Sequence, residues 1–235
     1  MNFYSHLAIA SLFTEDIAVA FGAMLPDFAS MLGVRQLPTT DAGIMRGCEL
    51  HHETDRLFHD HPLFREACLA ETAVLRVRGF ASGTARAVAH VGLEIFLDDA
   101  LWEDGPARVL YAEVLASATP RILCRCIEWK SPDEVHGFEQ LRQRLLLSCS
   151  RTVPIAPPPL SERIFRALLR RPKLAVRADE RVELDTWTAE AARRSSPIWP
   201  IVSEAVVSGL KRAKWQSEHQ SVRSLRFPRA QGYKV

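Results

Sequence analysis

The stretch from Thr84 to Trp102, TARAVAHVGLEIFLDDALW, puts apolar side chains on nearly every face of a helix, and such a helix must be covered on all sides. No other segment limits the fold as strongly. Yet the same segment carries His90, Glu94 and Asp98 at intervals of four. Steps of four advance ~40° around a helix, so the three form one inclined stripe. Burying carboxylates without partners is costly, so Glu94 and Asp98 require a cation or a hydrogen-bonding partner. From His90 to Asp98 is ~12 Å along the axis. That is too far for both to reach one ion with bonds of ~2 Å, so two neighbours share a metal, or a two-metal cluster or outer role accounts for the third.

The remaining segments also read as helices. Residues 3–24 follow a 3.6-residue apolar period, and Pro26 is expected to end or kink that helix. A Gly-, Pro- and Thr-containing loop, Gly33 to Thr40, leads to a helix that Asp41 caps and that runs through His51 and Asp55 toward Phe58. Asp60-His61-Pro62 restarts the chain, with Pro62 in the first turn. Thr84 is the expected cap of the buried helix. Further helices are predicted over 106–118, 120–129, 131–147, 160–171 and 180–213, the last kinked at Pro197 and Pro200. A proline-rich connection spans 152–159, and a basic tail without period occupies 214–235. No alternating strand pattern is found, so the expected class is all-α: a single-domain helical bundle over 1–213.

A chain of 235 residues can bury one sizeable core, and 47% apolar with 25% charged residues excludes disorder and fibrous repeats. The first residues lack a positive region before the apolar run and carry His6 within it, so they do not read as a secretory signal. No run of ~20 apolar residues predicts a membrane span. The five cysteines, Cys48, Cys68, Cys124, Cys126 and Cys149, make no paired framework and point to a reducing cytoplasm. The aromatic and glycine patterning of a single-strand platform is missing, so no nucleic-acid partner is expected.

Two more polar pairs accompany the buried stripe. His51 and Asp55, four apart in ELHHETDRLFHDHP, face the same way, while His52 points elsewhere. His6 in the first helix and Asp27 after Pro26 can enter the same cavity from another wall. Each pair alone reads equally well as a surface ion pair, and Glu94 could bridge Arg46 or Arg86. Three segments that each supply histidine plus carboxylate point instead to a metal centre drawn from His6, Asp27, His51, Asp55, His90, Glu94 and Asp98. Mixed nitrogen and carboxylate ligands suit Mn, Fe or Zn better than Ca. His59 and His61, at a helix end, are read as phosphate contacts, caps or solvated side chains.

The opening MNFYSHLA, the segment GAMLPDF, the stretch GI…LHHETD…HPLFREA, the helix RAVAHVGLEIFLDDALW and the later LLRRPKLA resemble, in this order, the acyl carrier protein phosphodiesterases. The resemblance runs from Met1 to about Arg212. It implies an HD-phosphohydrolase-like helical fold and a metal-dependent phosphodiesterase, with Mn2+ as the cofactor and Fe2+, Zn2+ or Mg2+ as alternatives. The implied reaction removes the 4′-phosphopantetheine arm from the serine of holo acyl carrier protein. Asp27, His51, Asp55 and Asp98 fall on the family's polar positions, and His6 matches its early histidine. Glu94 stands in place of an aspartate, Asp99 in place of a histidine, and His90 where histidine is not required.

The expected chemistry is direct attack of water on phosphorus, with Asp55 or Glu94 as the proton acceptor and His59, His61, arginine or lysine steadying the phosphate. No serine elbow or cysteine phosphate loop offers a covalent nucleophile. From Arg163 onward basic residues outnumber acidic ones about two to one, and the segment Arg163, Arg166, Arg170, Arg171 and Lys173 reads as either a docking face for an acidic carrier or a solvated helix face. Arg170 and Arg171 are the substrate-binding candidates of that segment. The rival readings are a phosphohydrolase of the same fold acting on a nucleotide, lipid or other small phosphoester, and a non-catalytic binding protein.

Overall fold

The computed structural model describes residues 1–102, 106–123, 125–149, 158–169, 171–213 and 215. Helix α1 (Phe3–Ala10) and helix α2 (Ile17–Leu32) replace the single helix expected over 3–24. The break lies at Asp16, whose carboxylate accepts from the Ala18 N–H at 2.7 Å, while the Thr14 hydroxyl oxygen accepts from the Asp16 N–H. Apolar periodicity continues across this turn because both helices face one core, which hides the boundary from a pattern search. Pro26 lies inside α2 and does not end it; Gly33 does, in the left-handed region at φ 66°.

Helix α3 (Ala42–His59) starts at Asp41, whose carboxylate accepts from the Ile44 N–H at 3.0 Å. Helix α4 (Pro62–Val77) follows with Pro62 in its first turn. Helix α5 (Ser82–Leu101) begins two residues earlier than expected, with no side-chain cap, and Thr84 is buried within it. Helices α6 (Pro106–Ser117), α7 (Pro120–Leu123), α8 (Pro132–Cys149), α9 (Leu160–Leu168), α10 (Arg181–Ser195) and α11 (Trp199–Arg212) complete the bundle. The predicted helix over 120–129 shrinks to α7. Beyond it, Ile127–Glu128 (β2) pairs antiparallel with Arg35–Gln36 (β1), a ribbon too short for any period to reveal. The break between α10 and α11 falls at a 3-10 turn over Ser196–Ile198, where Pro197 removes a donor.

The described residues share one hydrophobic core, so the all-α single-domain expectation holds. Residues 150–157, which hold most of the proline-rich connection, and the tail residues 214 and 216–235 lie outside the described residues, as do Arg170 and Cys124. Trp215 still packs on the core, with the Arg46 guanidinium 5.9 Å over its ring. Among the described residues no helix is long and apolar enough to cross a membrane.

The closest helix crossing sets up the site. A Cβ on Gly47 would lie 2.1 Å from the Val19 carbonyl oxygen, and one on Gly22 would lie 2.3 Å from the Ile44 carbonyl oxygen. Only glycines at both points let the backbones of α2 and α3 meet. About one turn beyond each glycine the same approach carries Asp27 on α2 and His51 on α3 toward a common interior space. Helix α1 closes that space, stacking Phe3 on Phe28 at 5.4 Å and Tyr4 against Trp102 at 4.5 Å.

Candidate metal centre

His6 is fully buried on α1. Its Nδ1 lies 2.7 Å from the Thr54 hydroxyl, and that hydroxyl donates its own hydrogen to the carbonyl of Leu50 or His51 at 2.9 or 2.8 Å. The Thr54 oxygen therefore accepts from His6 Nδ1–H. His51 Nδ1 is 2.9 Å from the Ala23 carbonyl, which can only accept. Both rings thus carry their proton on Nδ1 and turn an Nε2 lone pair inward, the arrangement that fixes histidine ligands in metal sites. Burial holds His6 down at about 3 and His51 at about 4, so both are neutral at physiological pH.

The His6 lone pair meets carboxyl oxygens with no hydrogen bond formed. His6 Nε2 is 3.8 Å from Asp27 Oδ2 and 3.4 Å from Asp55 Oδ1, off the line of a hydrogen bond in each case. Asp27 Oδ2 is buried and makes no hydrogen bond, and burial pushes the Asp27 acid up to about 8. His6, Asp27 and His51 each offer a ligand atom within 4.8 Å of the others. With bonds of ~2.1 Å and tetrahedral angles, ligand atoms stand ~3.4 Å apart, so these separations fit a first-row divalent ion.

A second trio adjoins the first. His59, His90 and Glu94 also offer atoms within 4.8 Å of one another. The His59 and His90 rings stack at 4.9 Å, and their Nε2 atoms lie 3.4 and 3.3 Å from the same Glu94 oxygen. Asp55 Oδ1 connects the trios, being 3.4 Å from His6 Nε2 and 3.3 Å from His59 Nε2. The Met1 ammonium lies 2.5 Å from Asp55 and 3.2 Å from Glu94. Burial alone would raise both acids, but the His59 imidazole and the ammonium hold Asp55 well below the carboxylate range, and the ammonium with His90 holds Glu94 at about 2.

The fold treats a structural carboxylate differently. Buried Glu71 accepts from Trp187 Nε1 at 2.8 Å and from Arg194 Nε and Nη2 at 2.9 and 2.8 Å, so a guanidinium satisfies it fully. At Glu94 the neighbours are two imidazoles and the ammonium, and among the described contacts neither Arg46 nor Arg86 takes the part that Arg194 takes at Glu71.

The structure therefore brings together His6, Asp27 and His51, and beside them Asp55, His90 and Glu94. Asp98 joins neither trio: its Oδ1 accepts the Ser5 N–H at 2.9 Å and the Ser5 hydroxyl. It anchors the residue before His6, and burial raises it to about 6 against the pull of Ser5. Thr54, the partner of His6, has no signature in the sequence, because a threonine inside a helix is unremarkable. His59, expected as a phosphate contact, cap or solvated side chain, instead lines the second trio; its position four after Asp55 and eight after His51 is the signal for it. His61 caps α4, its Nδ1 accepting from the Leu63 N–H at 3.3 Å.

Two residues of the basic segment are paired within the chain. Arg163 lies 3.6 Å from Asp99, and Arg166 donates to Glu162 at 2.7 Å. Arg171 and Lys173 are exposed. Cys48, Cys68 and Cys149 are free thiols. No family model, curated protein or solved structure matches the chain.

Proposed function

We propose that this chain is a metal-dependent phosphodiesterase acting, like the acyl carrier protein phosphodiesterases it resembles, on the phosphopantetheine–serine diester of holo acyl carrier protein. The observation that carries the reading is the pair of buried, unbonded atoms, His6 Nε2 and Asp27 Oδ2, facing one another beside His51. Without a cation this arrangement places lone pairs against an acid that must stay protonated. His6 Nε2, Asp27, His51 Nε2 and Asp55 would hold the ion, with Mn2+ the first choice and Fe2+, Zn2+ or Mg2+ behind it.

When bound, the ion supplies a water of lowered pKa and neutralises charge on the phosphoryl oxygens. Thr54 and the Ala23 carbonyl keep the two imidazoles in the ligand tautomer. Asp55 and Glu94 stay ionised at neutral pH, the state required of a ligand or a proton acceptor. The half-exposed His90 marks the side from which a phosphodiester can enter.

A second reading, the same chemistry on a small phosphoester, is favoured by one observation: Arg163 and Arg166 are engaged by Asp99 and Glu162, which leaves less of the basic segment for a protein substrate. The test is hydrolysis of holo acyl carrier protein against a panel of small phosphodiesters, after chelator stripping and again with Mn2+. Activity that is lost on stripping and regained with Mn2+ supports metal-dependent hydrolysis, and the preferred substrate decides between the readings. Full turnover in excess chelator after stripping refutes both.

A further inference from the structure

We propose that His59, His90 and Glu94 form a second cation site and that Asp55 lies between the two ions, making the centre binuclear. The proposal rests on the reading above for the first ion but is carried by separate residues. Two helices supply the three groups: His59 ends α3, and His90 and Glu94 sit one turn apart on α5. The stacked rings aim both Nε2 atoms at one Glu94 oxygen, at 3.4 and 3.3 Å, matching the ~3.4 Å edge of a tetrahedral donor set with bonds of ~2.1 Å.

The group differs from a structural pair such as Glu71 with Arg194. Two imidazole nitrogens and the Met1 ammonium converge on a single oxygen of Glu94, and among the described residues no arginine of the kind that satisfies Glu71 reaches it. The Met1 ammonium lies against the same Asp55 and Glu94 oxygens, so the local field already holds a positive charge at this point, and a divalent ion would take its place. Asp55 Oδ1 is within 3.4 Å of a nitrogen from each trio, the position of a bridging carboxylate. Two ions ~3.5–4 Å apart are the known clamp for in-line displacement at phosphorus, one for the attacking and one for the leaving oxygen. Imidazole and carboxylate donors suit Mn2+, Fe2+ or Zn2+ rather than Ca2+.

The experiment is Mn2+ titration of the stripped 235-residue chain, read by metal analysis and low-temperature EPR and compared with His90→Ala and Glu94→Gln. His90 is 45% exposed, so its truncation should leave folding intact, and circular dichroism checks this. The expected result is two ions per chain with an exchange-coupled EPR signal, falling to one ion and an uncoupled six-line signal in both variants. One ion in the parent and in both variants overturns the second site while leaving the first reading in place. Two ions in the variants also overturns it, because the second ion then lies elsewhere. No bound ion in the parent overturns both.

Discussion

His6 Nε2 and Asp27 Oδ2 face each other across 3.8 Å inside the protein, and neither makes a hydrogen bond. In metal-free protein Asp27 must stay protonated to be tolerated, since burial lifts it to about 8. The Asp27→Asn variant removes that penalty. It should match or exceed the parent in stability by roughly 1–3 kcal/mol in chelator at pH 8, while losing the rise in Tm that Mn2+ gives the parent. Chemical denaturation with and without Mn2+ measures both, and an Asn variant that keeps the full Mn2+ effect contradicts the assignment.

The pH dependence of metal-free stability has a defined sign. His6 and His51 sit at about 3 and 4 in the folded protein against 6.5 for a solvated histidine, so the unfolded chain binds more protons below pH 6.5. Their contribution is therefore present above that pH and lost on acidification. Asp27 acts oppositely: raised from 3.8 to about 8, it contributes stability that is lost as pH rises toward 8. Between about pH 4 and 6 the two histidines are offset by Asp27 and by Asp98, itself raised from 3.8 to about 6, so the profile is nearly flat; from about 6 to 6.5 two histidines against Asp27 leave a net slope of ~1.4 kcal/mol per pH unit, stability falling with acid. Denaturation midpoints across about pH 4.5–8.5 should peak near pH 6.5 in chelator, and Mn2+ should abolish the alkaline decline. A profile in chelator that keeps rising into the alkaline range contradicts the burial of Asp27 as a lone acid.

Thr54 is a positioning residue for His6. In Thr54→Val the buried Nδ1–H of His6 loses its acceptor, which costs roughly 1–3 kcal/mol of stability, and Mn2+ affinity should fall about 10–100-fold. Thr54→Ser, which keeps the hydroxyl, should restore most of the affinity. Calorimetric titration of both variants checks this, and equal weakening in Ser and Val would refute the role of the hydroxyl.

The glycine crossing connects fold to site. In Gly47→Ala the new Cβ would be 2.1 Å from the Val19 carbonyl oxygen, a backbone atom that cannot swing aside. The helices must separate, with a loss of roughly 1–3 kcal/mol or more. Mn2+ affinity, followed by the same calorimetric titration, should drop in this variant although Gly47 touches no ligand. Gly137→Ala, where nothing lies within 4 Å of the new Cβ, is the control and should leave affinity unchanged.

Much of the site is legible in the sequence because polar residues in apolar helices are conspicuous. His6, Asp27, His51, Asp55, His90 and Glu94 all carry that signature, and all reach the two trios or the space between them. Asp98 carries it too, yet Ser5 satisfies it, and no helical spacing reveals a partner on another helix. His59 is obscured by its place at a helix end, where capping and solvation are ordinary outcomes. The division of the first helix is hidden because the turn at Asp16 interrupts hydrogen bonding without interrupting the apolar period. The Gly22–Gly47 contact lies out of reach for a deeper reason: a glycine records only that a side chain is missing, and which backbone fills the space is decided by tertiary packing.

The most direct measurement is an anomalous difference map from crystals of the chain soaked in Mn2+. A peak at bonding distance from His6 Nε2, Asp27, His51 Nε2 and Asp55 is the expected result. Soaked crystals showing no density among these groups, or Mn2+ held only by surface carboxylates, would contradict a metal centre at this place.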